Sequence, residues 1–205
     1  MVKTKSTGRR PRPAAGPDAL AERIVDETLA LAEEVGWDRV RLRLVAARCG
    51  VGLGDVLAHY RDIDAVADAW FGRASAAMVV APRAGFAELP ARERLFLVIT
   101  RWFDALAPHR AVSVEMIRTK LYPSHPHHWV PLIFNLSRTV HWVRDAAGLD
   151  ATGRRRQREE VGLTLLFLAT LAFWARDDSD GQDRTRAFLK RRLAAADTLM
   201  ARLYR

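Results

Sequence analysis

Two short amphipathic segments joined by glycines constrain the fold of this chain more than any other stretch. Within residues 42–60, apolar side chains recur at helical spacing before and after the segment Cys49-Gly50-Val51-Gly52. Glycine accepts a positive φ at little cost, so this segment predicts a turn between two helices. Such a pair is a helix-turn-helix, whose second helix can enter the major groove of DNA. Other helical hairpins show a similar pattern, so the flanking sequence must support the interpretation.

Composition limits the class of protein. The chain has 205 residues, 49% of them hydrophobic, which is enough for the core of one or two small domains. Its net charge of +9 favours an acidic partner, either nucleic acid or an anionic membrane surface. The single cysteine, Cys49, excludes an internal disulfide. Since no apolar run has transmembrane length and residues 1–17 lack a signal-peptide core, we expect a soluble, cytoplasmic protein without a membrane partner.

Residues 1–17 contain five basic residues, three prolines and no acidic residue. This composition predicts a disordered basic arm. The arm has two interpretations: a solubilising tail, or a segment that follows phosphates or enters a minor groove beside the helix-turn-helix. Its position next to the motif favours the second.

Helical periodicity continues through the remaining chain and predicts an all-α protein of about nine helices. Residues 18–62 form a three-helix domain in this interpretation, with Asp18 as the first N-cap and Gly36 ending the first helix. Asp62 is the predicted N-cap of a fourth helix, which we expect Pro82 to terminate. Residues 63–205 are expected to form a second helical domain that binds a ligand and dimerises.

Four short motifs occur in register within about residues 20–70: a helix ending in Glu-x-x-Gly-aromatic, an Ala-x-x-x-Gly-Val turn, a glycine in the next helix, and His-Tyr followed by Asp-Ala. In this chain these are Glu33, Gly36 and Trp37; Ala46, Gly50 and Val51; Gly54; His59 and Tyr60; and Asp64 and Ala65. Together they resemble the DNA-binding domain of TetR-type (tetracycline-repressor-like) bacterial regulators. The resemblance implies an all-α homodimer that binds a palindromic double-stranded DNA operator and carries a variable ligand domain.

Several positions depart from the polar pattern that this family shows in its DNA-facing helix. The family commonly has Ser or Thr at position 52, Thr at 55, Tyr at 57, and Lys at 63, where the fourth helix begins. This chain has Gly52, Asp55, Leu57 and Ile63 at these positions. An acidic residue at position 55 would repel phosphate. Arginines supply phosphate neutralisation and can hydrogen-bond guanine. His59 is interpreted equally well as a DNA contact or as a partly buried residue at the end of a turn. The predicted DNA-binding set is Arg41, Arg43, Arg48, Gly52, Leu53, Asp55, Ala58, His59 and Arg61.

The C-terminal half offers a ligand pocket and a dimer interface. Aromatic residues on its helices are the predicted pocket lining, although any one of them could be an ordinary core residue. The pocket set is Trp102, Phe103, Phe134, Trp142, Phe167 and Trp174. The run VGLTLLFLATLAFWA is apolar almost all round, which predicts burial on more than one side. The predicted dimer interface is Val161, Leu165, Leu168, Phe188, Ala196 and Leu199.

No metal or cofactor site is expected. Three histidines lie close together at positions 125, 127 and 128, but the neighbouring prolines prevent an i, i+4 pair on a helix. A polar loop is therefore the better interpretation. The chain also lacks the catalytic motifs of hydrolases, P-loop proteins and dinucleotide-binding enzymes, so an enzyme is not expected.

The C-terminal half also resembles the ubiquinone-biosynthesis lipid-binding family, which shares the TetR-type fold. The matching features are Trp142 before Ala146 and Gly148, Trp174 before Asp177-Asp178-Ser179, and Thr185, Phe188 and the run Leu189–Leu193. Two hypotheses follow. The first is a homodimeric transcriptional regulator, a repressor released by a small hydrophobic effector. The alternative is a lipid-binding accessory protein on the same fold without DNA binding.

Overall fold

A computed structural model describes residues 17–80, 84–121 and 129–203, and the side chains of all of these except residues 17, 18, 129–134 and 203. Within these ranges the chain forms nine α-helices and no strand, which confirms the all-α prediction. The helices are α1 (Pro17–Val35), α2 (Leu42–Cys49), α3 (Leu53–His59), α4 (Ile63–Met78), α5 (Ala91–Leu106), α6 (Arg110–Lys120), α7 (Trp129–Ala146), α8 (Gly153–Trp174) and α9 (Asp183–Leu203).

Helices α1, α2 and α3 form the N-terminal unit. Its core contains Ile24 and Val25 from α1, Val45 from α2 and Val56 from α3, all of them fully buried. Each short helix buries only one stripe of its surface, because its apolar residues recur every three or four positions. The three helices therefore cover one small core and leave the opposite side of α3 in solvent.

The predicted turn chemistry is present within this unit, at Gly50, and directly after it, at Asp62. Gly50 has φ 65°, ψ 34°, the left-handed conformation that a residue with a Cβ adopts at a cost. Asp62 caps α4, since its carboxylate accepts the N–H of Ala65 at 2.7 Å. The start of α1 differs from the prediction: the helix begins at Pro17, so Asp18 lies inside its first turn. Proline suits this first position because its fixed φ is helical and its missing N–H is not needed there.

Helices α4 to α9 form the C-terminal body. Helix α5 packs against α4, α7 and α9, and α8 packs along α9. The α8–α9 corner is organised by the buried carboxylate of Asp177, which accepts hydrogen bonds from the hydroxyl and N–H groups of Ser179 and Thr185. Burial tends to raise the pKa of Asp177, but these hydrogen bonds outweigh it and lower the pKa to about 2.

Polar contacts join the N-terminal unit to the body. The side chain of Glu115 on α6 accepts the backbone N–H of Trp37 at 2.8 Å. Nearby, His109 Nδ1 lies 2.7 Å from the carboxylate of Glu33 at the end of α1. On α4, Arg73 binds Asp26 of α1 at 2.6 Å. The position of α1 relative to the body is therefore fixed by directional contacts on two helices, α4 and α6.

Candidate nucleic-acid interface and ligand-binding body

The exposed face of α3 is apolar. Val56 is fully buried, whereas Leu53 is 53% and Leu57 62% exposed. Residues four apart lie on the same side of a helix, so Leu53 and Leu57 form one outward stripe. The other residues of the stretch 53–58 are Gly54, Asp55, Val56 and Ala58. None of them carries a hydrogen-bond donor in its side chain.

Asp55 has a structural role that the sequence did not reveal. Its carboxylate accepts the N–H of Gly52 at 2.8 Å, closing the first turn of α3. This is half of a capping box, since Gly52 at the N-cap has no side chain to complete it. The negative charge also complements the positive end of the helix dipole. An acidic residue at this position therefore stabilises α3, whatever its effect on phosphate.

The same helix-turn-helix exposes arginine side chains. Arg43 is exposed on α2, and the Arg61 side chain is 81% exposed directly after α3, with Asp62 3.2 Å from it. Arg41 occupies the N-cap of α2, where its guanidinium donates to the carbonyl groups of Asp38 and Val40 at 2.7 Å. These three cations remain candidates for phosphate contacts. His59, the last residue of α3, is half-buried, and Ala58 is exposed.

Arg48 differs from the other predicted cations and requires a correction. Its guanidinium donates to Glu27 at 2.9 Å and to both carboxylate oxygens of Glu34 at 2.8 Å. Hydrogen bonds to these carboxylates raise the pKa of Arg48. Because α2 turns this residue toward α1, its charge is compensated within the N-terminal unit and Arg48 is a link between two helices.

Four of the six predicted pocket residues form a buried aromatic cluster. Trp102 lies 5.1 Å from Phe103 and 5.0 Å from Phe167 between ring centroids, and Phe103 lies 5.4 Å from Trp174. The Nε1 atom of Trp102 is buried and has no hydrogen-bond acceptor among the side chains that the structure describes. A buried indole N–H without an acceptor is costly, so it marks a position where a polar atom would be favourable.

Trp142 does not join this cluster, which corrects the prediction for that residue. It is 52% exposed on the outer side of α7, because Val140 and Val143 define the buried side of that helix. The side chain of Phe134, also predicted as pocket lining, lies outside the described residues. So do the basic arm before residue 17, Pro82 and the histidine loop.

The outer surface of α8 and α9 is apolar. Val161, Leu165 and Leu168 are exposed on α8, and Leu199 and Ala196 are exposed on α9. Helix α8 therefore has an exposed apolar side and a buried inner side. The buried side contains Leu163, Phe167, Thr170 and Trp174. Phe188 is half-buried and stacks on Phe173 with ring centroids 4.7 Å apart.

A groove of about 770 Å³ opens on this same surface. Its floor is apolar, and its lining includes Val161, Ala196 and Leu199, three of the predicted interface residues. Ion pairs stand at its edge, between Arg155 and Glu159 at 3.1 Å and between Arg92 and Asp197 at 3.5 Å. The groove and the aromatic cluster are separate sites, since none of the cluster's residues lines it.

The residues that connect the N-terminal unit to the body were missed by the sequence interpretation. Glu115 and Trp37 are 78 positions apart, and His109 and Glu33 are 76 apart. Neither pair forms a recurring motif, so no signal in one sequence could have shown the contact. Trp37, which directly follows the helix-ending Gly36, is buried.

The architecture defines a class before any comparison is made: an all-α protein with an N-terminal helix-turn-helix unit and a larger helical body. Among solved structures, the chain is similar to the crystal structure of the TetR transcriptional regulator from Nitrosomonas europaea ATCC 19718. The two share 42% sequence identity with a TM-score of 0.79, over 88% of this chain and 99% of that one. The protein belongs to the TetR family of transcriptional regulators.

More distant structures share the fold alone. A TetR transcriptional regulator from Rhodococcus sp. RHA1 is 18% identical with a TM-score of 0.64, over 88% of this chain and 97% of that one. A TetR-like regulator from the same organism is 16% identical with a TM-score of 0.56, over 93% and 99% of the two chains. The curated proteins contain no match.

A second similarity is confined to the C-terminal half. The family described as COQ9 matches residues 136–200, which include most of α7, α8 and α9. This match agrees with the resemblance to the ubiquinone-biosynthesis family noted from the sequence. Among the described helices, none combines the length and the apolar character needed to cross a bilayer.

Proposed function

We propose that the protein is a homodimeric transcriptional regulator that binds a palindromic operator through α3 and is released from it by a small hydrophobic effector. The observation that carries the proposal is an exposed face of α3 in a helix-turn-helix that also exposes Arg41, Arg43 and Arg61, on a chain that is 42% identical to a TetR transcriptional regulator. Cations at the edges of a recognition helix suit phosphates on both sides of a major groove.

The dimer is proposed to form through the outer surface of α8 and α9. An isolated chain that exposes Val161, Leu165, Leu168 and Leu199 on neighbouring helices has an apolar surface of the kind that marks an interaction site. A second copy placed symmetrically would bury these residues in a four-helix arrangement and would cover the groove between them. The arrangement would also place two copies of α3 about 34–36 Å apart, one turn of DNA.

The effector is proposed to bind in the body, at the aromatic cluster. Within the described part of the chain, Trp102 Nε1 has no acceptor, which favours an apolar ligand that carries one hydrogen-bond acceptor for the buried N–H. To act on DNA binding, the ligand must have different affinities for two conformations of the body. Two contacts would transmit such a movement to the N-terminal unit: Glu115 of α6 with the N–H of Trp37, and His109, just before α6, with Glu33 of α1.

Selection of binding sequences tests the regulatory function. The full-length protein is incubated with a random duplex library, and the bound fraction is amplified and sequenced through several rounds. We expect a palindromic sequence to be enriched, with affinity falling steeply between 50 and 200 mM salt as phosphate contacts require. A failure to enrich any sequence at low salt would contradict the proposal.

The alternative function is a lipid-binding accessory protein, and the match of residues 136–200 to COQ9 supports it. Its test is native mass spectrometry of the purified protein, followed by solvent extraction. A stoichiometric hydrophobic molecule in a protein that selects no DNA sequence would favour this alternative. The same molecule released together with DNA, or one that weakens operator binding, would instead identify it as an effector.

A further inference from the structure

We infer that the recognition helix reads thymine methyl groups through Leu53 and Leu57. The inference rests on the proposed function and specifies it further, because it names the chemical feature of the operator that α3 would recognise. The two side chains do not contribute to the core of the N-terminal unit, since both are exposed to solvent.

The leucines are placed for contact with the floor of a major groove. They are one helical turn apart, which corresponds to about 6 Å along the helix axis. Successive base pairs are stacked about 3.4 Å apart, so two side chains at this spacing can reach methyl groups about two steps apart. The left-handed Gly50 forms the turn before α3, Asp62 caps the helix that follows it, and the buried Val56 anchors α3 to the core.

The chemistry of the exposed face selects among base edges. Hydrogen-bond recognition of guanine or adenine needs donors such as Arg, Lys, Asn or Gln, and residues 53–58 contain none of these. The carboxylate of Asp55 is engaged with the N–H of Gly52. The C5-methyl of thymine is the apolar feature of the major groove, and an aliphatic side chain is its natural contact.

Charge and size favour DNA over a protein as the occupant of this surface. Arg41, Arg43 and Arg61 are exposed in the same helix-turn-helix as the leucines. Asp62 pairs with Arg61, and the other two arginines leave positive charge that suits a polyanion. The apolar area that two leucines on a seven-residue helix can offer is also far smaller than the roughly 800 Å² that each partner buries in a stable protein interface. They are well matched to methyl groups flanked by phosphates.

Replacement of single thymines by deoxyuridine tests the inference, since deoxyuridine pairs like thymine and lacks only the C5-methyl. The full-length protein is titrated against its selected operator and against a series with one thymine replaced in each half-site. We expect two positions per half-site at which the replacement weakens binding, each by about fourfold per methyl group, the effect of removing one buried methyl.

The leucine variants assign each methyl to a side chain. In Leu57→Ala, one of the two sensitive positions should become insensitive to deoxyuridine, and in Leu53→Ala the other. Leu57→Met should keep the sensitivity, because it keeps an apolar side chain of similar size. The matched control is Leu121→Ala, a leucine 53% exposed at the end of α6, which should leave both penalties unchanged.

Two results would overturn the inference, and they differ. If the protein selects an operator whose thymines can all be replaced without loss, the methyl contacts are absent and the regulatory function remains. That outcome would also be expected if the leucines instead bind a protein. If no sequence is selected at all, the proposed DNA-binding function fails, and the inference fails with it.

Discussion

Two apolar surfaces of this protein are both built from exposed leucines, yet their surroundings differ. On α3, Leu53 and Leu57 form a narrow stripe in a helix-turn-helix that also exposes Arg41, Arg43 and Arg61. On α8 and α9, a broader surface continues over two long helices, and the charges at its edge occur as ion pairs such as Arg92 with Asp197. Exposure of leucine alone does not identify a partner. An excess of positive charge beside a narrow stripe favours a polyanion, whereas a broad apolar surface on two long helices suits a second copy of the same surface.

The largest expected effect follows from placing charge on the broad surface. In the double variant Leu165→Glu, Leu168→Glu, we expect the dimer dissociation constant to rise at least about 100-fold, because each copy would bury uncompensated carboxylates. Sedimentation velocity over a range of concentrations measures this. Leu121→Glu, a change of the same type on α6, should leave the dimer intact. A variant that still sediments as the unmodified protein does would show that this surface is not the interface.

The second effect concerns the corner that holds α8 against α9 and so displays the broad surface. Asp177 has a pKa of about 2 in the folded protein against 3.8 as its ordinary value, so the ionised form stabilises the fold. That difference corresponds to about 2 kcal/mol at neutral pH. Because the folded pKa is the lower one, the contribution is complete above pH 4 or so and is lost as the pH falls toward 2.

Denaturant unfolding of Asp177→Asn tests this assignment. We expect the free energy of unfolding to fall by about 2 kcal/mol at pH 7. The difference from the unmodified protein should shrink when both are measured near pH 3. Asp178→Asn is the control, since that neighbour is exposed and pairs only with Arg184 at the surface. Equal losses in the two variants would contradict a special role for the buried carboxylate.

A third test distinguishes the arginines around the narrow surface. Arg43→Gln should remove one phosphate contact per copy, and the slope of log affinity against log salt should fall by about 2 per dimer. Arg48→Gln should leave the slope unchanged, because Glu27 and Glu34 already compensate that charge. Fluorescence anisotropy with the selected operator measures both slopes. A reduced slope in the Arg48 variant would place its guanidinium on DNA after all.

The smallest expected effects lie in two glycines of the same unit and have opposite signs. Gly50→Ala should destabilise by about 1 kcal/mol, since alanine is strained at φ 65°. Gly54→Ala should stabilise by about 1 kcal/mol, because alanine is the better helix former and its Cβ would meet no atom within 4 Å. Thermal unfolding of the full-length protein measures both. Changes of the same sign would show that the turn geometry is wrong.

Much of the fold follows from local signals in the sequence. The helices, the turn at Gly50 and the cap at Asp62 depend on neighbours within a few positions, so periodicity and residue type were sufficient to predict them. The same periodicity places Trp142 outside the interior, because Val140 and Val143 define the buried side of α7 and Trp142 points to the other side. Trp142 was included in the predicted pocket because it is aromatic. Its position on the helix was the better guide.

The site was less predictable because its chemistry depends on contacts between distant segments. Arg48 meets Glu27 and Glu34 only after α1 and α2 pack, 21 and 14 positions apart. The capping role of Asp55 is local, and the three-residue spacing to Gly52 could have suggested it. Among the residues that the structure describes, Trp102 Nε1 has no acceptor. This depends on how the core packs, so the sequence could not have shown it.

The hydrogen bond between Glu115 and Trp37 uses a main-chain donor on one side and a side-chain acceptor on the other. Every residue except proline carries that N–H, so substitutions at position 37 can change the contents of the core without breaking the attachment. Position 115 has no such freedom, because a carboxylate of the right length must reach across. Substitutions at position 37 can therefore change the packing of the N-terminal unit while the hydrogen bond that joins this unit to α6 is kept.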